Sequence, residues 1–427
     1  MTLKKALVAT AILAVGGLVG QVAAADEDPI RIGVLVTQEG TFANAGSDGL
    51  RGFELALREA GMEAGGRSIE WVLGPTNGTP DSALRAARQL VDSDDVDLII
   101  GPLSGSEGIA MRDYAHTVPE ITIINGVSSA METTFVDPAE NFFRFNIQGA
   151  QAGYGLGSYV VNERGWTRVA TVAADYSFGY TNFLGFAADF CAAGGEIVER
   201  FWVPLGSSDF GAVIAALPYD VDAIYLGIGG TDAINFLNQY EQAGAETNLI
   251  GSSIIADQSV LTARGTARDA LIGTPAAGWQ AADSDLPEWQ AFVAAYQAGW
   301  PEDERFPSPS LYATLYYNAT VAALTALDEV GGDLSDGHTE FRAALSALEM
   351  DSPIGHISLD ENRQAVGSVF ISEVVENAEG TGLTTQLVSR TDGVNATFGL
   401  PTDQFMSMVG LPSRDTPDCD ALRDAAN

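Results

Sequence analysis

The sequence predicts an α/β protein built as two doubly wound lobes, each a parallel sheet covered by helices. Three observations lead there. The run Ile30-Arg31-Ile32-Gly33-Val34-Leu35-Val36 reads as a buried strand that hands over to a helical stretch through a polar loop containing Gly40 and Gly46. From Ile30 onward, short β-branched runs alternate with amphipathic segments, and this βαβα order implies parallel pairing with both sheet faces covered. Near Phe143-Arg144-Phe145-Asn146 the pattern starts again. At 427 residues and 46% hydrophobic content the chain can fill two cores.

In the first lobe, Ser47 or Asp48 caps a helix with Leu50, Phe53, Leu57 and Ala60 on one face, and Gly61 ends it. Thr79-Pro80 opens the next helix, with proline where no N–H is needed, and Leu84, Ala87 and Val91 form its buried stripe. Strands are expected at 96–100 and 121–124. The second lobe starts with a helix at 150–161, a strand at 169–173, a loop at 175–179 and a helix at 181–193 stopped by Gly194-Gly195. Strands follow at 197–203, 223–227 and 249–251. From Pro287 the chain is helical at 289–298, 310–327 and 341–348, then strand-like at 357–359 and 369–374. After Gly399 it has little periodicity, which suggests a tail packed as loops.

Residues 1–25 have the form of a signal peptide: Lys4 and Lys5, an apolar stretch from Ala6 to Val19, and Ala23-Ala24-Ala25 before the cut. The apolar stretch is short of the ~20 residues that a membrane span needs. The expected mature protein is therefore exported, cleaved after about Ala25, and periplasmic. Acidic residues number 57 against 21 Lys plus Arg, and both lysines lie in the leader, so cleavage takes the formal charge from −36 to −38. Nucleic acid and anionic membrane surfaces are repelled by such a chain. The excess of acid suits a saline environment; a bias toward arginine codons explains the missing lysine but not the scarcity of basic residues. Without lysine the mature chain has no P-loop lysine, Schiff-base lysine or Ser–Lys pair. His116, His338 and His356 are not at metal-ligand spacing, and Cys191 and Cys419 form no CxxC. No cofactor and no enzymatic activity are expected.

The sharpest local signal is a pair of hydroxyl-rich turns at strand ends. Ile99-Ile100 runs into Gly101-Pro102-Leu103-Ser104-Gly105-Ser106, and Ile123-Ile124 into Asn125-Gly126-Val127-Ser128-Ser129. Free N–H groups and serine hydroxyls there can hold a carboxylate or another polar head group; the alternative is helix capping by serine alone. Tyr176, Phe178 and Tyr180 in the second lobe could form an apolar wall facing the first; the alternative is local packing, the commoner fate of aromatics in a strand-to-helix loop. Gly227-Ile228-Gly229-Gly230 lacks the GxGxxG spacing of a dinucleotide site. Asp175, Asp232 and Asp257 lie just beyond second-lobe strands, where they could meet a cationic group. Two cysteines in an exported chain can pair, and a Cys191–Cys419 bridge would pin the tail to the second lobe; the alternative is two unrelated thiols.

In order, Ile30 to Val36, the Gly40 to Gly46 loop, Asp97-Leu98-Ile99-Ile100-Gly101-Pro102, Asp175 to Gly179, and Val203-Pro204-Leu205-Gly206 leading to Ser208-Asp209-Phe210 resemble the leucine-binding group of periplasmic solute-binding proteins that serve ABC importers. The resemblance implies a type I periplasmic binding protein: two lobes joined by a three-segment hinge that close on a small-molecule ligand, with crossovers near Phe145, Thr274 and Ile354. It places 26–145 and 275–354 in the N-terminal lobe, 146–274 and 355–400 in the C-terminal lobe, and 401–427 in a tail packed on a lobe. Carried over by position, the pocket is Leu103, Ser104, Gly105, Val127, Ser128 and Ser129, faced by Phe178. Ser253 stands where the family has an acid for an α-amino group, and Gly229 and Ala45 where it has tyrosines, so ligands other than branched-chain amino acids come into view. The implied function is capture of an amino acid or a related carboxylate or amide, as a monomer, for an ABC permease in the membrane. The alternative is an exported sensing module of the same fold acting in trans on a receptor. A secreted hydrolase fits worst, because no base–nucleophile pair is visible.

The charge excess makes a prediction. Self-repulsion should weaken as the screening length falls from ~10 Å at 0.1 M salt to ~3 Å at 1 M. The melting temperature should therefore rise with sodium chloride over that range. A flat or falling trend would leave codon bias as the explanation of the composition.

Overall fold

The computed structural model describes residues 28–426; the expected leader lies outside them. Two sheets organise the chain. The first comprises β1 (Ile30–Thr37), β2 (Glu63–Ala64), β3 (Arg67–Thr76), β4 (Leu98–Ile100), β5 (Thr122–Ile124) and β6 (Phe142–Phe143), in the order β2-β3-β1-β4-β5-β6. All pairings are parallel except the β2–β3 hairpin. β1 is central, pairing in register with β3 and β4, and Ile32, Val34, Leu35 and Val36 are fully buried. The helix Ala43–Glu59 buries Phe53 and Leu57 against this sheet. It also packs on the helix Leu311–Glu329, where Gly52 lets the backbones touch: a Cβ there would lie 1.9 Å from the Ala313 carbonyl oxygen.

The second sheet is mixed. Its parallel part is β7 (Arg168–Ala174), β8 (Glu196–Val203), β9 (Ala223–Gly227), β10 (Asn248–Gly251) and β11 (Pro275–Gly278). An antiparallel flank follows: β12 (Met350–Ser352), β13 (Gly355–Leu359), β14 (Ala365–Glu376) and β15 (Leu383–Val394). The order β12-β13-β14-β11-β10-β9-β7-β8, with β15 on β14, places β7 and β9 inside the sheet, and their residues are buried almost throughout.

Several expectations are corrected. The second crossing between sheets lies after Gly278 rather than at Thr274, because Pro275 to Gly278 pair with Glu373 to Phe370. Met350–Ser352 likewise joins the second sheet by pairing with the strand at Gly355. The helix expected at 150–161 is two, Gly149–Ala152 and Leu156–Arg164, broken at Gly155 with φ +84°. The first-lobe helix starts at Ala43, so Ser47 lies inside it and donates back to the Ala43 carbonyl at 3.0 Å. β15 was not foreseen: one of its faces is open to solvent, so its hydrophobic signal is thin. The tail holds helices Thr402–Val409 and Cys419–Ala426.

The crossings meet in one buried polar cluster. Arg144, fully buried, forms a bridge with Gln364, and its guanidinium donates to the Gln364 side chain, the Ala130 carbonyl (2.7 Å) and Thr134 Oγ1 (2.8 Å). Gln364 Nε2 donates to the Asn146 carbonyl (3.0 Å) and Gln151 Oε1 (3.1 Å), while Asn125 Nδ2 donates to Asn146 Oδ1 (2.7 Å). Trp279 Nε1, just after the second crossing, donates to the Ile147 carbonyl at 2.9 Å.

The tail is tied to the second lobe. Cys191, on the helix Ser177–Ala192, is disulfide-bonded to Cys419, with Cα atoms 5.2 Å apart. Arg200 Nη2 donates to the Pro417 carbonyl at 2.6 Å, and Trp202 Nε1 to that of Arg414 at 3.1 Å. The bridge spans 228 residues. Replacing both cysteines by serine should lower stability by ~2–4 kcal/mol and speed proteolysis within the tail. In the native protein, alkylation under denaturing, non-reducing conditions should find no free thiol by intact mass.

Candidate functional site

The carboxyl ends of β4 and β5 carry the two serine turns, as parallel topology requires. After β4, Ser104 caps the helix Gly105–Ala115: its Oγ accepts from Glu107 N–H and donates to the Gly78 carbonyl (2.7 Å). Glu107 returns the bond by accepting from Ser104 N–H (2.9 Å), and it accepts from Gly78 N–H (3.1 Å). Burial pushes the Glu107 carboxyl above its ordinary range, against these hydrogen bonds. Ser104 is thus a capping residue whose hydroxyl is already engaged. The N–H groups of Gly105 and Ser129 have no protein acceptor among the described residues. Ser129 Oγ donates to the Val127 carbonyl at 2.7 Å.

These turns face the second lobe across a cavity of about 20 Å³, little more than one water needs. Leu103, Ser104, Gly105, Val127, Ser129 and Phe178 all line it. So do Phe42, Tyr176, Ile254, Trp279, Leu311 and Tyr312. Among the described residues the lining has no ionisable group other than the tyrosines, and burial pushes Tyr176 and Tyr312 above their ordinary value. An adjoining cavity of about 30 Å³ shares Trp279 and Leu311 and is more polar, with Ser253, Asp257, Gln258 and Gln280. The Ser253 hydroxyl is buried and has no hydrogen-bond partner among the described residues.

Other expected site residues stand elsewhere. Ser128 turns onto the helix Gly105–Ala115, its Oγ 1.8 Å from where a Cβ on Gly108 would be. Gly229 lies behind Ile254, whose side chain takes the place at the cavity. Tyr180 packs on Trp202 and donates to Asp175. Asp175 is paired with Arg414 of the tail, which holds its carboxyl below the usual range.

The remaining two aspartates join the lobes. Asp232 accepts from Thr41 Oγ1 of the first lobe (3.1 Å) and from Gly206 N–H of the second (2.8 Å). Asp257 accepts from Ser259 N–H (2.9 Å) and, across the cleft, from Leu311 N–H (2.8 Å) at a helix start, where a carboxylate is favoured. Burial nevertheless pushes the Asp257 carboxyl up to about 6, and nearby Asp48 adds repulsion. Protein donors therefore occupy all three expected cation partners.

Close approach of the lobes depends on two glycines. A Cβ on Gly105 would lie 2.7 Å from Ser177 Oγ and 3.0 Å from Phe178 N. Gly230 has φ +55°, and its Cβ would fall 2.3 Å from the Thr41 carbonyl oxygen, beside the Thr231 N–H to Thr41 bond of 3.3 Å. Phe42, Ile254, Trp279, Leu311 and Tyr312 were missed in the sequence. They sit in separate segments with no motif, and only the hydroxyl turns and the Tyr176/Phe178 pair carried a local signal.

Residues 29–380 match the model of a family described as periplasmic binding protein. The chain is similar to the Leu/Ile/Val-binding protein homolog 6 of Brucella melitensis, 24% identical over 372 residues that cover 84% of this chain and 90% of the relative. Among solved structures it is similar to an ABC transporter substrate-binding protein from Sphaerobacter thermophilus, with a TM-score of 0.76 and 30% identity, covering 86% of this chain and 98% of that one. It is also similar to a solute-binding protein of an ABC transporter from Rhodopseudomonas palustris in complex with 3,4-dihydroxybenzoic acid, with a TM-score of 0.78 and 26% identity, covering 86% and 99%.

Gly230→Ala should fold yet fail to close. The left-handed backbone costs alanine ~1–2 kcal/mol, and the methyl meets the Thr41 carbonyl only when the lobes approach. Small-angle scattering should show a larger radius of gyration than wild type, and a wild-type radius would count against this contact as the limit on closure.

Proposed function

We propose, for a chain that belongs to the periplasmic binding protein family, that the solute it binds is a small carboxylate with an apolar, aromatic body and no α-ammonium group. The chain is a solute-binding protein of an ABC importer. The reading of its ligand rests chiefly on one observation: the central cavity pairs the Gly105 and Ser129 N–H groups with an aromatic wall, and it has no carboxylate free to meet a cation. An amino acid would bury its ammonium there unpaired, which costs several kcal/mol. Asp257, which lines the adjoining cavity, already accepts two backbone N–H groups. A carboxylate head instead satisfies the open N–H donors at the turn and at the helix start. The structural relative from Rhodopseudomonas palustris, solved with 3,4-dihydroxybenzoic acid, supports this class.

In mechanism, the lobes part at the hinge, the carboxylate docks on the first-lobe turns, and closure brings Phe178 and Tyr176 over the apolar body. A ring is far larger than the present cavity, so the lobes close around it less tightly than they do here. The closed pair of lobes is the form a permease reads, and the protein works as a periplasmic monomer without chemical turnover, its leader cleaved after about Ala25. Among the described residues no helix is long and apolar enough to cross a membrane.

A thermal-shift screen tests the reading. A ligand that binds only the folded form adds ~3 kcal/mol at a hundredfold excess over Kd. Benzoates should raise the melting temperature and leucine, isoleucine and valine should not. Shifts with the amino acids and none with the benzoates would overturn it.

A further inference from the structure

We infer, building on the carboxylate reading above, that the solute site continues beyond the central cavity into an arginine-lined groove, and that its solute carries a second carboxylate at the far end of its apolar body. Three hollows adjoin one another through shared walls. The central cavity and the polar cavity beside it share Trp279 and Leu311; the polar cavity and a groove of about 860 Å³ share Gln258 and Ala282. The groove takes walls from both lobes, with Val293, Gln297 and Arg305 on one side and Arg268, Leu383 and Thr384 on the other. A solute reaching it touches both lobes at both ends, so closure senses its length.

The groove's two arginines are held by the backbone. Arg268 Nη1 donates to the carbonyls of Leu261 (3.0 Å) and Ala263 (2.7 Å); its buried Nε makes no hydrogen bond among the described residues and forms only a long ion pair, 3.8 Å, with the exposed carboxylate of Asp269. Arg305 donates to the carbonyls of Trp300 (3.3 Å) and Phe306 (3.0 Å), and it pairs with no carboxylate among the described residues. In a chain with 57 acidic side chains, two guanidiniums held this way leave charge for an incoming anion. Glu302 and Glu379 also line the groove, but both are exposed and screened by water. Along the way, the unpartnered Ser253 hydroxyl offers a hydrogen bond to the middle of the solute.

The test is calorimetry with two matched series: saturated monocarboxylates and α,ω-dicarboxylates of four to ten carbons, with benzoate and terephthalate as rigid members. At some length the dicarboxylate should bind at least tenfold more tightly than the monocarboxylate of equal length. In Arg268→Gln/Arg305→Gln the ratio should fall to about one, while Arg264→Gln, an exposed neighbour outside the groove, should keep it. If monocarboxylates bind and no dicarboxylate gains, or if the gain survives the double substitution, the extended site is wrong. If neither series nor the benzoates bind, the carboxylate reading itself fails and takes this inference with it.

Discussion

Arg144 is a fully buried cation, and the arrangement of the two lobes depends on how its burial is compensated. Its guanidinium is pushed down to about 9 by burial, while Asp360 and Glu132 pull it back up. An uncompensated charge at that depth costs several kcal/mol. The compensation comes from Thr134 and the Ala130 carbonyl, close by in sequence, and from Gln364, 220 residues away. Through Gln364 the same cluster reaches Asn146 and Gln151. The crossing strands and the second serine turn are thus held by one set of mutually dependent hydrogen bonds.

The carboxylates near the cleft show how a site can look charged in the sequence and be neutral in effect. Asp257 and Asp48 sit on consecutive N–H groups at the start of the helix Leu311–Glu329, on Leu311 and Ser310 respectively. Asp232 links Thr41 to Gly206, and Asp175 holds the tail. Each is spent on joining parts of the protein. What remains at the two adjoining cavities is N–H donors, the Ser253 hydroxyl and aromatic faces, which is the surface that the proposed carboxylate ligand would meet.

The fold was legible because periodicity and turn chemistry are local. β1, β7 and β9 are near-continuous apolar runs, as strands covered on both faces must be. Legibility failed where one face met water, as in β15, or where a single glycine reversed the backbone, as at Gly155. Leu103, Ser104, Gly105, Val127, Ser129 and Phe178 line the cavity because each lies in or just after a turn that ends a strand. Ser128 and Gly229 come from the same turns and do not line it: a turn fixes which residues stand at a strand end, not which side chains point across the cleft.

By itself, then, the amino-acid order determined an exported α/β chain of two lobes, with hydroxyl-rich turns at the carboxyl ends of first-lobe strands, since hydrophobic period, helix capping and leader composition act over a few residues. Only the tertiary structure decided that Trp279, Leu311, Tyr312 and Ile254 meet those turns, that the aspartates are already bonded, and that Gly230 lies against the Thr41 carbonyl. Those outcomes turn on which backbone groups find partners after segments hundreds of residues apart come together, and a buried N–H or carboxylate takes whatever partner the packing brings it.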